Sequence, residues 1–198
     1  MSMKNADVDR ALKHLKENKI AVVPTESFYA FAVDATSTQA LDTLVTLKGR
    51  PPEKPFPLLI TPSLLSDYVE NIPKPFQKLM DVFWPGPLTL VFQSTLRHPY
   101  LSGDLGVAFR YGTHPLSNDL IEALGRPITC TSANLSAKPS MTDLSEIKNT
   151  FDSEDLCYVD GGALPGGKPS TLLALDLSGK LQILREGPIS REQIESII

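Results

Sequence analysis

Short apolar runs closed by turn residues alternate along this chain with stretches whose apolar residues recur every three to four positions. Few architectures satisfy both periods at once. Residues 20–23 form an apolar run stopped by Pro24, and 58–60, 88–92, 107–109, 127–130 and 156–159 read likewise as buried strands. Helical spacing links Val8, Ala11, Leu12 and Leu15, then Leu41, Leu44, Val45 and Leu47 behind a Thr38 N-cap. Further helices are predicted over 64–69, over 76–83 before the breaker Trp84-Pro-Gly-Pro87, over 116–124 up to Gly125, and over 144–151. Residues 98–104 read as a loop. Late in the chain, 172–175 and 181–184 flank Ser178-Gly179 as a hairpin, and Ser190 with Gln193 fits a capping box for a short last helix. The pattern implies an α/β fold, one domain over 1–198, with a twisted sheet of mixed strand direction.

Bulk properties exclude several classes. A chain of 198 residues buries roughly 70% of its unfolded surface without staples, and 41% hydrophobic with 21% charged residues is ordinary globular composition. Cys130 and Cys157 lack metal spacing and suit a reducing compartment. The polar start has no apolar signal region, and no apolar stretch approaches the ~20 residues of a membrane helix, so a cytoplasmic protein without a membrane partner is expected. A net charge of −4 argues against tight, non-specific nucleic-acid binding.

Polar residues collect just past the strand ends, where ligands of open α/β sheets tend to lie. Thr25-Glu-Ser-Phe-Tyr29 follows Val23, Arg110 follows Phe109, Thr131-Ser-Ala-Asn134 follows Cys130, and Arg185 follows Leu184. Lys48 and Arg50 end the second helix, with Lys54 beyond. Singly these have bland readings: cations favour the last helical turn, and Ser and Asn are routine turn residues. Jointly they furnish a polyanion site. Gly162 to Ser170 nearly spells a P-loop, but Pro169 stands at the hydroxyl position and 171–175 reads as strand, not helix. His14, His98 and His114 read as surface histidines, Trp84 as core packing, and Asp34 as a turn cap; no GxSxG elbow is present.

Pro24-Thr-Glu-Ser-Phe-Tyr29, Lys48-Gly-Arg-Pro51 with Lys54-Pro55, Trp84-Pro-Gly-Pro-Leu-Thr89, Val107-Ala-Phe-Arg110, Thr131-Ser-Ala-Asn-Leu-Ser136 and Ser170-Thr171 stand in an order and spacing that resembles the YrdC/TsaC family of threonylcarbamoyl-AMP synthases. The resemblance covers about residues 7 to 190. It implies helices and a twisted mixed sheet around a large, concave, basic cavity. It also implies the reaction: threonine and bicarbonate give a carbamate that attacks the α-phosphate of ATP and expels pyrophosphate. By motif position, Lys48, Arg50, Ser132 and Asn134 resemble the family's catalytic, ATP-handling tetrad; Ser140 and Arg185 fall where further ATP contacts are expected; Thr25, Arg110 and Ser170 fall where L-threonine is held. Mg2+ is implied with ATP, and no dedicated metal ligands are. Partners implied are a downstream threonylcarbamoyl transferase and, indirectly, tRNA, with weak RNA binding.

Ser27 departs from the family pattern by standing in place of a threonine, Ala30 and Ala137 by an added methyl in place of glycine, and Gly106 by lacking a hydroxyl that touches nucleotide. The chain also ends without the extra carboxyl-terminal domain of longer members. A non-catalytic nucleotide- or RNA-binding protein of the same fold is the alternative function. Carbamoyl transfer from another donor, as in long maturation proteins, is disfavoured by the missing length and cysteines.

Overall fold

The computed structural model describes residues 6–49, 54–136, 138–151, 153 and 155–198. Its elements run α1 (Ala6–Lys16), β1 (Ile20–Pro24), β2 (Tyr29–Ala32), α2 (Thr38–Lys48), β3 (Leu58–Leu59), α3 (Pro62–Leu65), α4 (Lys74–Phe83), β4 (Leu88–Phe92), β5 (Ser102–Gly103), β6 (Gly106–Arg110), α5 (Pro115–Leu124), β7 (Ile128–Thr129), β8 (Thr131–Ser132), α6 (Leu144–Thr150), β9 (Leu156–Tyr158), β10 (Thr171–Leu175), β11 (Leu181–Arg185) and α7 (Arg191–Glu195). None of the described helices is long and apolar enough to cross a membrane.

Mixed strand direction is found as expected, but in two sheets. The first runs β8-β2-β1-β9; the second runs β11-β10-β4-β6-β3-β7, with β5 on β6. Parallel pairs β1–β9, β10–β4 and β3–β6 alternate with antiparallel ones. The predicted strand over 127–130 shortens to β7, and a further strand, β8, follows it, because the chain leaves one sheet after Thr129 and enters the other at Thr131. Cys130 marks that crossing.

Strand β1 is buried along its whole length, so its side chains serve two cores. Ile20 and Val22 join the large cluster shared by both sheets; Ala21 and Val23 face the cluster formed with α1 and α5. Helix α1 buries Val8, Ala11 and Leu15, and carries Asp7 and Asp9 at its start and Lys13, His14 and Lys16 at its end, in keeping with the helix dipole. The second sheet buries Leu88, Leu90 and Phe92 of β4 with Val107 and Phe109 of β6 in the large core. Residues between them in the pleat turn the other way, which sets Thr89 opposite Arg110 in register. The sheet's second face thus acquires polar groups at the strand ends.

Three boundaries differ from the sequence reading. Ser37, not Thr38, caps α2, its side chain accepting from the Ala40 amide, and Gly49 closes the helix at φ 58°. The helix expected over 64–69 stops at Leu65, one turn after Pro62. Part of the 98–104 loop pairs as β5. The capping box of Ser190 and Gln193 forms as expected.

Candidate functional site

A cavity of about 200 Å³ opens where the two sheets meet. Tyr29, Ala30, Thr131 and Ser132 reach it from the first sheet; Thr89 and Arg110 reach it from the second. Six of the nine residues singled out from sequence line it: Thr25, Arg110, Ser132, Ser140, Ser170 and Arg185. Among the described residues, the lining includes two arginines and no carboxylate.

Lys48 and Asn134 stand behind Ser132 and do not line the cavity. Lys48 is buried at the end of α2, and its Nζ donates to Ser132 O (2.6 Å), Asn134 O (3.0 Å) and Asn134 Oδ1 (2.9 Å). The Ser132 hydroxyl donates to the same Oδ1 at 2.6 Å, while the Asn134 amide nitrogen donates to Lys138 O. Two donors on Oδ1 fix which way the amide faces. Three residues of the proposed tetrad are therefore one connected network that shapes the 131–134 turn. Arg50 and Ala137 lie outside the described residues.

The Arg110 end of the cavity is built by strand register. Arg110, at the end of β6, is buried, donating from Nη1 to Glu26 Oε1 and from Nη2 to Cys130 Sγ at 3.0 Å. Burial alone would lower the Arg110 pKa; the charge of Cys130, once that thiol ionises at high pH, and then that of Glu26 offset this and raise it. Burial pushes the Cys130 thiol up, Arg110 pulling only part of the way back, so Cys130 is a neutral thiol and Glu26 is the working counter-charge. Arg185 is lowered, first by burial and then by Arg110 nearby. Its Nε and Nη2 donate to Ser170 O at 3.0 and 2.9 Å, and Nη2 to Ser170 Oγ at 3.1 Å. Ser170 Oγ lies 2.7 Å from Thr89 Oγ1, both buried. With Arg185 occupying one acceptor site on Ser170 and Thr89 able to donate to the other, the Ser170 proton is free for an anion in the cavity.

The Gly-rich segment borders this site without being a P-loop. No helix follows it; β10 begins at Thr171. Tyr29 Oη donates to Gly162 O (2.7 Å) and accepts from Gly161 N (3.0 Å), Gly166 N donates to Ser27 O (2.9 Å), and Leu164 N donates to Thr142 O (3.0 Å). Trp84 and Asp34 are structural as read: Trp84 Nε1 donates to Leu88 O, and Asp34 accepts from Thr36 and pairs with Arg126. His114 departs from its surface reading, since its Nδ1 is buried without a partner.

The departures from the family pattern sort by place. Ala30 and Ser27 line the cavity, and Ala30 needs no positive φ. Gly106 sits at the far end of β6 from Arg110, with φ 121° and room for no Cβ, since one would lie 2.1 Å from Phe92 O. That glycine answers to packing against β4 and not to the cavity. Thr89, Glu26 and Cys130 escaped the sequence reading as site residues. The signals available were the strand-end position of Glu26 in the Thr25–Tyr29 segment and the lone hydroxyl of Thr89 inside the apolar run 88–92.

Among the described residues, no group of three or more His, Cys, Asp or Glu could hold a metal ion. The cavity's donors are guanidinium and hydroxyl groups, suited to anionic oxygens and not to a bare cation.

The family model Sua5_yciO_yrdC, described as "Telomere recombination", matches residues 13–187. A curated threonylcarbamoyl-AMP synthase of Bacillus subtilis (strain 168) is 35% identical over 202 residues, 100% of this chain and 58% of that protein. Sua5 of P. abyssi, solved in complex with L-threonine, superposes with a TM-score of 0.88 at 33% identity, covering 96% of this chain and 57% of that one. E. coli YciO superposes with a TM-score of 0.79 at 27% identity, covering 91% and 89%. This chain thus spans little more than half the length of the synthase and of Sua5. With nearly its whole length matched, it belongs to the Sua5/YciO/YrdC family.

Proposed function

We propose that this chain is an L-threonylcarbamoyladenylate synthase, a nucleotidyltransferase that condenses ATP, bicarbonate and L-threonine to threonylcarbamoyl-AMP and pyrophosphate. The observation that carries this reading is the meeting of Thr25, Arg110, Ser132, Ser140, Ser170 and Arg185 in one cavity whose described lining offers cations and hydroxyls. The threonine-bound state of the similar Sua5 supports it.

Arg110 takes the amino acid's carboxylate, for which a buried guanidinium is the best side-chain partner, and Ser170 and Thr25 add hydroxyl contacts. The cavity is smaller than the roughly 300–1,000 Å³ that encloses a drug-sized ligand. It therefore houses the amino acid and the reacting phosphate, while the rest of the nucleotide lies beyond its mouth. Ser132, Ser140 and Arg185 face the phosphates. Arg50 is assigned to them by motif position alone. Lys48 joins them by exchanging one of its oxygen acceptors at Ser132 and Asn134 for a phosphate or carbamate oxygen, with Asn134 keeping Ser132 aimed.

The carbamate oxygen forms a bond to the α-phosphorus as the bond to the bridging oxygen breaks, and pyrophosphate leaves with the electron pair. Positioning and cationic stabilisation of spreading charge suffice for this, with no covalent nucleophile. Magnesium enters as part of the MgATP substrate and takes no protein ligand in this account. The labile adenylate then passes to a separate transferase that acts on tRNA, with weak RNA contact at most, in the cytoplasm. On this reading the 198 residues act as a single domain.

Pyrophosphate release from MgATP tests the proposal. It should depend on both L-threonine and bicarbonate, and fall sharply in Lys48→Ala. Absent release, with Lys48→Ala indistinguishable from the parent in nucleotide binding, refutes it.

A further inference from the structure

We infer that Glu26 is a positioning residue, the carboxylate that aims the Arg110 guanidinium into the cavity and so sets the preference for a substrate carrying a free carboxylate. The inference rests on the proposed role of Arg110 in holding the amino acid.

Glu26 pairs with Arg110 through Oε1 and Nη1, and the two side chains are only 17% and 9% exposed. Arg110 and Cys130 line the cavity, whereas Glu26 does not. The carboxylate therefore grips the guanidinium from behind, and a ligand entering the cavity meets Arg110 without meeting Glu26. Its other oxygen, Oε2, is buried with no hydrogen-bond partner and faces Gly112, where a Cβ would come within 3.2 Å. With Oε2 unpartnered, the ion pair with Arg110 is the anchor that fixes the carboxylate, and each group of the pair orients the other. On the opposite edge, Nη2 meets the Cys130 thiol, a weak acceptor that a ligand oxygen can replace.

Charge leads to the same conclusion. Arg185 lies near enough to Arg110 that, after burial, the Arg110 charge disfavours its own, and Glu26 is the carboxylate paired with Arg110. Without it, two guanidinium groups would face each other across the cavity end, and Arg110 would turn toward solvent or toward other acceptors. A geometry that presents Nη2 to the cavity while Nη1 is held would be lost.

Binding of L-threonine and of L-threoninamide, measured by calorimetry on the parent, Glu26→Gln and Glu26→Asp, tests this. Glu26→Gln should weaken L-threonine about tenfold or more, a usual coupling between contacting residues. It should leave the weak binding of L-threoninamide and the affinity for ATP unchanged, so that the preference for carboxylate over amide collapses. In turnover the threonine KM should rise by the same factor, with kcat at saturating threonine changing less than about threefold. Glu26→Asp, which keeps the charge, should recover part of the loss. ATP affinity serves as the check that the variants are folded. Equal threonine affinity in parent and Glu26→Gln overturns the positioning role alone. Parallel losses for threonine, threoninamide and ATP also overturn it, since they mark a general structural effect. Failure of the parent to bind threonine overturns both this inference and the proposed function.

Discussion

Arg110→Met keeps the aliphatic stem of Arg110 and deletes the cation that Glu26 faces. With the two side chains only 9% and 17% exposed, water screens the stranded carboxylate weakly. Removing one partner of a buried pair costs about 3–5 kcal/mol, and the residual exposure of Glu26 places the expected loss at the lower end, about 3 kcal/mol at pH 7. The loss has a ceiling, because a stranded carboxylate can take up a proton; for an ordinary glutamic acid, holding that proton at pH 7 costs about 3.7 kcal/mol. At pH 4.5 protonation is nearly free, so the loss should shrink below about 1 kcal/mol. A domain of this size loses about 2–4 °C per kcal/mol, which puts the midpoint about 6–12 °C lower at neutral pH. Adding Glu26→Gln to Arg110→Met removes the stranded charge and should recover most of the loss. Urea unfolding of the parent, both single variants and the double variant, followed by the fluorescence of the single tryptophan, Trp84, closes the cycle. Additive single effects, or a loss as large at pH 4.5 as at pH 7, would refute the buried-pair reasoning.

Gly106→Ala should cost about 3 kcal/mol through its left-handed backbone and the clash with Phe92 O, yet leave threonine affinity intact, because the cavity lies at the other end of β6. An unchanged melting temperature, or lost threonine binding in the folded variant, counts against that placement. His114 is held below its ordinary 6.5 by burial, with Glu26 only partly offsetting. The unfolded chain therefore takes the proton first, so this contribution to stability is complete above about pH 6.5 and declines as pH falls from there. His114→Asn should flatten the decline between about pH 6.5 and 5 in urea midpoints. The low-lying carboxylates Asp143, Asp176 and Glu192 titrate below that window. Identical slopes in parent and variant would remove His114 from the account.

What was legible in the sequence followed from burial period. Strands β1, β4 and β6 are short apolar runs with a hard stop, and each was found. Strand β2 was missed because Tyr29–Ala32 is buried on both faces and shows no alternation. Strand β8 was missed because Thr131-Ser132 read as polar residues beyond a strand end, and no turn residue marks the passage of Cys130 from sheet to sheet. Strand-end logic singled out Thr25, Arg110, Ser132 and Arg185, the family resemblance added Ser140 and Ser170, and all six line the cavity. The inward turn of Lys48 was not legible, since a cation ending a helix looks the same whether it meets solvent, dipole or a buried turn. Glu26 and Thr89 act through pairing with residues 84 and 81 positions away, and one carboxylate or one hydroxyl in a short motif carries no period from which such a pairing could be read.

The central claim is that an amino acid and a nucleotide share the hollow between the two sheets. Calorimetric titration with L-threonine, with MgATP, and with both together tests it most directly on the parent and on Arg110→Gln. The account predicts that the parent binds both, that Arg110→Gln loses threonine, and that the same variant keeps MgATP. A parent that binds neither ligand, or an Arg110→Gln variant that binds threonine as the parent does, would contradict it.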